Sequence, residues 1–136
     1  MLPVLNKEYT LKIESQSTNG DGIAHLDGYT LFVAHAITGD TVKAKITKLN
    51  KSYGFAKLIE ITEPSPDRAE PLCPAFFKCG GCQLMNMSYD AQCAYKKQLV
   101  LDSLKRIGGI TCSITFNPAP EEYRYRNKMV FPFSQA

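Results

Sequence analysis

Three thiols within ten residues carry the densest chemistry in the chain: Cys73, Cys79 and Cys82, spaced C-x5-C-x2-C. Thiolates bunched this way serve as shared metal ligands, because two of them one turn apart aim at one ion without backbone strain. Gly80 and Gly81 tolerate positive φ, so the loop can fold back and turn its sulfurs and nearby N–H groups toward one point. Structural zinc and a cubane iron–sulfur cluster each take four ligands, which leaves this set one short. Zinc and iron both stand open on spacing alone. A redox-sensing thiol set is a third reading, and it needs an exposed low-pKa thiolate with a resolving partner. Cys93 falls on an apolar helical stripe and Cys112 in an expected strand. As small hydrophobes, both are expected in the core rather than on a metal.

A second concentration of chemistry is basic and aromatic. Thr41 to Lys57 carries Lys43, Lys45, Lys48, Lys51 and Lys57 with no acid among them, and Tyr53 and Phe55 are interleaved. Lysines attract phosphates by charge, and aromatic rings stack on unpaired bases. The competing reading is a solvated strand face with two core aromatics. Near the end, Arg124, Arg126, Asn127 and Lys128 could grip phosphate, Arg126 bidentately, or fix the start of a strand. His25 and His35 stand apart from the thiols and read as structural. No paired carboxylates and no Ser/His/Asp order indicate hydrolysis.

The elements that must hold these groups follow from periodicity. Apolar residues alternate in Tyr9-Leu11-Ile13, Leu31-Val33 and Val42-Ala44-Ile46, the period of strands with one buried face. Turn signals at Asn19-Gly20-Asp21-Gly22, Asp27-Gly28 and Gly39-Asp40 separate the runs. A last strand is expected from about Tyr53 to Ile61. Five short strands in about 55 residues predict a small barrel, since closure removes exposed edges. Glu63-Pro64-Ser65-Pro66-Asp67-Arg68 reads as a semi-rigid extended spacer. Ser88 is an N-cap for a helix to about Ile107, with Cys93, Val100, Leu104 and Ile107 on one stripe and Gly108-Gly109 ending it. Residues 110–120 read as a strand and a proline turn, and Met129-Val130-Phe131 as a further strand. The resulting division is 1–63, 64–72, 73–109 and 110–136.

At 136 residues, with 44% hydrophobic residues, the chain is long enough for one domain or two small ones. Sixteen Lys and Arg against thirteen Asp and Glu give a formal net charge of +3, which permits an anionic partner without demanding one. No stretch is long and apolar enough to span a bilayer, so no membrane partner is expected. The first residues lack the pattern of a signal peptide. A reducing, cytoplasmic setting is therefore expected, where an odd count of five cysteines favours metal ligation or reactive thiols over disulfides.

The motifs also fall in a recognisable order: Gly20-Asp21-Gly22-Ile23-Ala24, Leu31-Phe32-Val33, Thr38-Gly39-Asp40-Thr41-Val42, Pro64-Ser65-Pro66-Asp67-Arg68, Cys73-Pro74, Cys79-Gly80-Gly81-Cys82-Gln83-Leu84, Ser88-Tyr89-Asp90-Ala91-Gln92, Lys96 and Tyr125-Arg126-Asn127-Lys128. Together they resemble the amino-terminal part of the RNA (uracil-5-)-methyltransferases that carry a TRAM domain and an iron–sulfur cluster. The resemblance implies an α+β chain: an OB-like RNA-binding barrel over 1–63, a linker over 64–72, a cysteine loop and helix over 73–109, and the first strands of a truncated central domain over 110–136. It implies that Cys73, Cys79 and Cys82 hold a 4Fe–4S cluster whose fourth cysteine lies past Ala136. It further implies that Lys43, Lys45, Lys48, Lys51, Tyr53, Arg124, Arg126 and Lys128 contact RNA, ribosomal before transfer RNA. The S-adenosylmethionine site and the cysteine nucleophile of uridine-C5 methylation would also lie beyond residue 136, leaving residues 1–136 inactive alone. After Cys82 the family usually shows Gln-Leu-Gln-His, whereas Met85 and Asn86 stand at the last two positions here. The alternative to this enzyme reading is a stand-alone RNA-binding module with a zinc knuckle and no catalysis.

Overall fold

The structure, a computed structural model, describes residues 2–131 and 133–135. Six strands form one mixed sheet: β1 Glu8–Lys12, β2 Ser15–Gln16, β3 Gly22–Leu26, β4 Tyr29–Val33, β5 Thr41–Leu49 and β6 Tyr53–Glu63. Their order is β1-β5-β6-β4-β3-β2. All neighbours are antiparallel except β4 and β6, which run parallel with Leu31 opposite Gly54.

The expected closed barrel is corrected to a curved, open sheet. Its ladder does not close, since no pairing joins β1 to β2 among the described residues. Yet β1 and β2 are successive pieces of one segment, parted only by Ile13 and Glu14. The first piece pairs with β5 and the second with β3, so one bent segment supplies both borders of a strongly curved sheet. Inside the curve pack Leu11, Ile13, Ala24, Leu31, Val33, Val42, Ala44 and Ile46, each at most 2% exposed. All but Ala24 are residues whose alternation marks the strands, because one face of each had to be taken out of water.

Asp27 and Gly28 both take positive φ (49° and 83°) between the paired Leu26 and Tyr29. That is the two-residue hairpin whose twist matches the strands it joins. The Tyr29 hydroxyl reaches under the β5–β6 turn, within donating distance of the Asn50 carbonyl (2.8 Å) and the Tyr53 carbonyl (2.5 Å).

Two helices follow the sheet: α1 Phe76–Cys79 and α2 Tyr89–Arg106. Ser88 caps α2 as expected, its hydroxyl accepting from the Ala91 N–H at 3.3 Å. The expected apolar stripe is not the packed face. Val100 and Ile107 are exposed, Cys93 and Leu104 are half-buried, and no residue of α2 is fully buried. The helix instead turns Ala91, Tyr95 and Leu99 toward Gln16, Ile37 and Thr38, and the Tyr95 hydroxyl donates to the Ser17 carbonyl.

The proline-rich connector is not a free spacer. Ser65 is buried and its N–H donates to Asp40, Arg68 pairs with Asp40, and Ala69 N–H donates to the Asn86 carbonyl at 2.9 Å. A buried carboxylate on the sheet draws the segment down onto it.

The strands expected at 110–120 and 129–131 do not form. The described residues after Gly109 are irregular and mostly exposed, Cys112, Met129, Val130 and Phe131 among them. β-propensity makes a strand only when a partner offers a ladder, and none is present beside these residues. Among the described residues, no helix is long and apolar enough to cross a membrane.

Candidate nucleic-acid interface

The outward positions of β5 and β6 gather the predicted basic and aromatic side chains on one surface. Along β5, Val42, Ala44 and Ile46 point inward, so Lys43, Lys45 and Thr47 point outward. A register irregularity between Ile46 and Lys48 then breaks the alternation, leaving both Thr47 and Lys48 exposed. Along β6, Gly54 and Ala56 are buried while Tyr53, Phe55 and Lys57 face out. Lys51 is exposed in the intervening turn.

Register sorts the lysines. Lys43 sits opposite Glu60 and forms an ion pair with Glu8 at 3.1 Å, so part of its charge is neutralised. Lys45 lies directly opposite Lys57. Like charges facing each other across a ladder are unfavourable, and a bound anion would relieve them. Among the described residues, Lys45, Lys48, Lys51 and Lys57 make no ion pair.

The aromatic reading is sharpened by a residue that sequence reasoning passed over. Phe32 of β4 points outward and touches both other rings, with centroids 5.9 Å from Tyr53 and 5.7 Å from Phe55. Tyr53 and Phe55 are themselves 5.9 Å apart and 43% and 38% exposed, which places neither in the core. The signal was present: Leu31 and Val33 were assigned inward, which obliges the phenylalanine between them to face out.

Beside this platform a groove of about 590 Å³ runs on, lined by Asp21, Phe32, His35, Phe55, Lys57 and Phe77 among others. Phe77 comes from α1, inside the cysteine loop. Its ring lies 5.3 Å from His35, and that of Phe76 lies 5.5 Å from His35. His35 takes φ +66°, and its carbonyl accepts from Arg68 Nη2 at 3.0 Å and Asn86 Nδ2 at 2.9 Å. His35 is thus the joint between sheet and cysteine loop rather than a histidine of the barrel interior. Burial raises the Asp21 pKa, and the nearby His35 opposes that rise.

Asn86, one of the two departures from the family pattern, is 1% exposed and leaves its Oδ1 without a partner. A further joint is the Asp40–Arg68 pair. Asp40 accepts from the Ile37 N–H (2.9 Å), the Ser65 N–H (2.8 Å) and two nitrogens of Arg68. Burial alone would raise its pKa. The hydrogen bonds from Arg68, Ile37 and Ser65 and the charge of Arg68 override burial and hold it below the usual carboxylate range.

Cys73, Cys79 and Cys82 are exposed free thiols on the loop around α1, with Gly80 in the left-handed region at φ +72° closing the helix. Among the described residues, no three or more His, Cys, Asp or Glu side chains converge where they could hold an ion. The three sulfurs as placed do not fit a cluster or a tetrahedral zinc. Cys93 is half-buried in α2 and Cys112 exposed in the irregular chain. Arg124, Arg126 and Lys128 also lie in that exposed chain, with no hydrogen bond or ion pair to the sheet among the described residues.

Residues 5–59 match the TRAM domain family. Over nearly its whole length the chain is similar to proteins named uncharacterized RNA methyltransferase. One from Halalkalibacterium halodurans is 46% identical over 133 residues, covering 96% of this chain and 29% of the relative. One from Listeria innocua is 43% identical over 128 residues, covering 93% and 28%. The chain thus spans less than a third of the length of these relatives. Among solved structures it resembles Pyrococcus abyssi tRNA (uracil-54, C5)-methyltransferase in complex with S-adenosyl-L-homocysteine. That match has 24% identity and a TM-score of 0.49, covering 82% of this chain and 24% of the other.

Proposed function

From the premise that this chain carries a TRAM domain and shares its sequence with RNA methyltransferases, we propose that it is the RNA-recognition portion of such an enzyme. The observation that carries the reading is the outer sheet face, where three touching rings border two opposed lysines that make no ion pair among the described residues. Rings take unpaired bases of any identity, and lysines take the phosphates between them.

Lys45, Lys48, Lys51 and Lys57 are assigned to phosphate, Tyr53, Phe55 and Phe32 to bases, and Lys43 to a weaker contact because Glu8 shares its charge. Arg124, Arg126 and Lys128 would meet RNA from the chain after α2. Replacing Lys45 or Lys48 with alanine is expected to weaken binding to all single-stranded sequences alike. The slope of log K against log salt should fall by about 0.7 per lost contact. Titrations at several salt concentrations read both effects, and an unchanged slope would remove these lysines from the interface.

The finer reading is methyl transfer from S-adenosylmethionine to carbon 5 of a uridine in 23S ribosomal RNA by the whole protein. Its support is the motif order and the kinship of the relatives. Radiolabelled adenosylmethionine and ribosomal RNA, incubated with the whole protein, should yield labelled 5-methyluridine. Label on another base or on transfer RNA alone would overturn it.

Cys73, Cys79 and Cys82 are proposed as three ligands of a 4Fe–4S cluster in that protein. Their spacing and common exposure support this. When bound, the cluster would fix the loop; nothing here assigns it a chemical step. Whole protein purified without oxygen should contain about four irons and four sulfides, the composition of such a cluster. Stoichiometric zinc without iron would reassign the site.

A further inference from the structure

We propose that the groove between the sheet and α1 is a subsite for one unpaired guanine base, with Asp21 reading its Watson–Crick edge. The proposal deepens the RNA-binding reading and rests on it.

Two ring pairs enclose the groove. Phe32 and Phe55 come from β4 and β6, their centroids 5.7 Å apart. His35 and Phe77 come from the chain after β4 and from α1, 5.3 Å apart. A volume of about 590 Å³ lies within the range of small-ligand pockets, and an aromatic lining suits a flat ring that has left its stack.

The Asp21 carboxylate lines the same groove and makes no hydrogen bond among the described residues. The turn does not need it. Asp21 N–H donates to Ser17 Oγ at 3.1 Å and its carbonyl accepts from the Ser17 N–H at 2.8 Å, so Ser17 and the Asp21 backbone fix the loop without the carboxylate. A half-buried carboxylate beside aromatic rings, faced by His35 but hydrogen-bonded by nothing among the described residues, is better satisfied when a ligand donates to it.

The sign of that group selects the ligand. A carboxylate repels phosphate, so the base enters the groove and the phosphate stays at the rim with Lys57. Two carboxylate oxygens match two parallel N–H donors. Guanine presents this pair, N1–H and the N2 amine, on its Watson–Crick edge. Uracil places a carbonyl on each side of its one N–H, and both would face the carboxylate. Adenine and cytosine each offer a single amine beside a bare ring nitrogen. Discrimination by one such bidentate contact is worth about tenfold or more.

The test measures fluorescence anisotropy of the whole chain on labelled short oligouridines whose central residue is guanosine, inosine or uridine. The guanosine oligomer is expected to bind about tenfold more tightly than the all-uridine one, and inosine, which lacks the N2 amine, to lose most of that gain. Asp21→Asn should erase the guanosine preference, read as the ratio of the guanosine and all-uridine affinities of the same variant. Phe77→Ala should reduce the preference in a variant whose circular dichroism matches that of the parent. Equal affinity for the three oligomers, or a preference that survives Asp21→Asn, overturns the subsite and leaves the interface standing. No binding to any of them overturns the RNA-binding reading itself.

Discussion

Replacing Asp40 with alanine is expected to cost the fold about 3–5 kcal/mol, the range for breaking a buried ion pair from one side. The carboxylate is fully buried and receives two backbone N–H groups and the Arg68 guanidinium, itself only 14% exposed. Alanine would strand all of these donors at once. The variant Asp40→Asn keeps an acceptor for one N–H and should lose less. Urea unfolding read by circular dichroism separates the two, and a loss below about 1 kcal/mol for alanine would show that the pair adds little. The same group gives a pH dependence. Its folded pKa lies below its unfolded value, so its contribution is full above the unfolded carboxylate pKa and disappears as pH falls through the folded one. Acid should therefore detach the 64–69 segment from the sheet, and Asp40→Asn should flatten that part of the acid transition.

Removing one ring of the platform is expected to have the largest effect on binding. Phe55→Ala or Tyr53→Ala should each cost about 1–3 kcal/mol of RNA affinity, roughly 5- to 150-fold, if each ring carries a base. Because both rings are substantially exposed, the fold should lose little. The salt slope should not move, since no phosphate contact is lost. That combination distinguishes stacking from the lysine variants, which change slope and affinity together. Affinity within about twofold of the parent for both alanine variants would remove the rings from the interface.

What the sequence made legible was whatever depends on neighbours along the chain. Alternation found β1, β4 and β5, Asp27-Gly28 found its hairpin, and Ser88 found the start of α2, because each is a local rule. Partnerships were not legible. Gly39-Asp40 and Pro66-Asp67-Arg68 were both visible as motifs, but nothing in either says that the acid of one is neutralised by the base of the other. The connector was therefore read as a spacer. α1 was missed because four residues are too few for a period to show. Phe77 consequently stood in a metal loop although it also walls the groove. The late strands failed for the opposite reason: Met129-Val130-Phe131 has the local preference, and preference without a partner ladder builds no sheet.

The bent segment that borders the sheet on both sides also orders the events of folding. The β3–β4 and β5–β6 hairpins join residues close in sequence and can close early. The β1 strand must pair Glu8 with Lys45, across everything between them. Loop-closure entropy is met in full before that contact gives anything back. The curvature of the outer sheet face is therefore expected to be set last, when the first strand arrives, with the platform rings until then on a sheet still free to flatten.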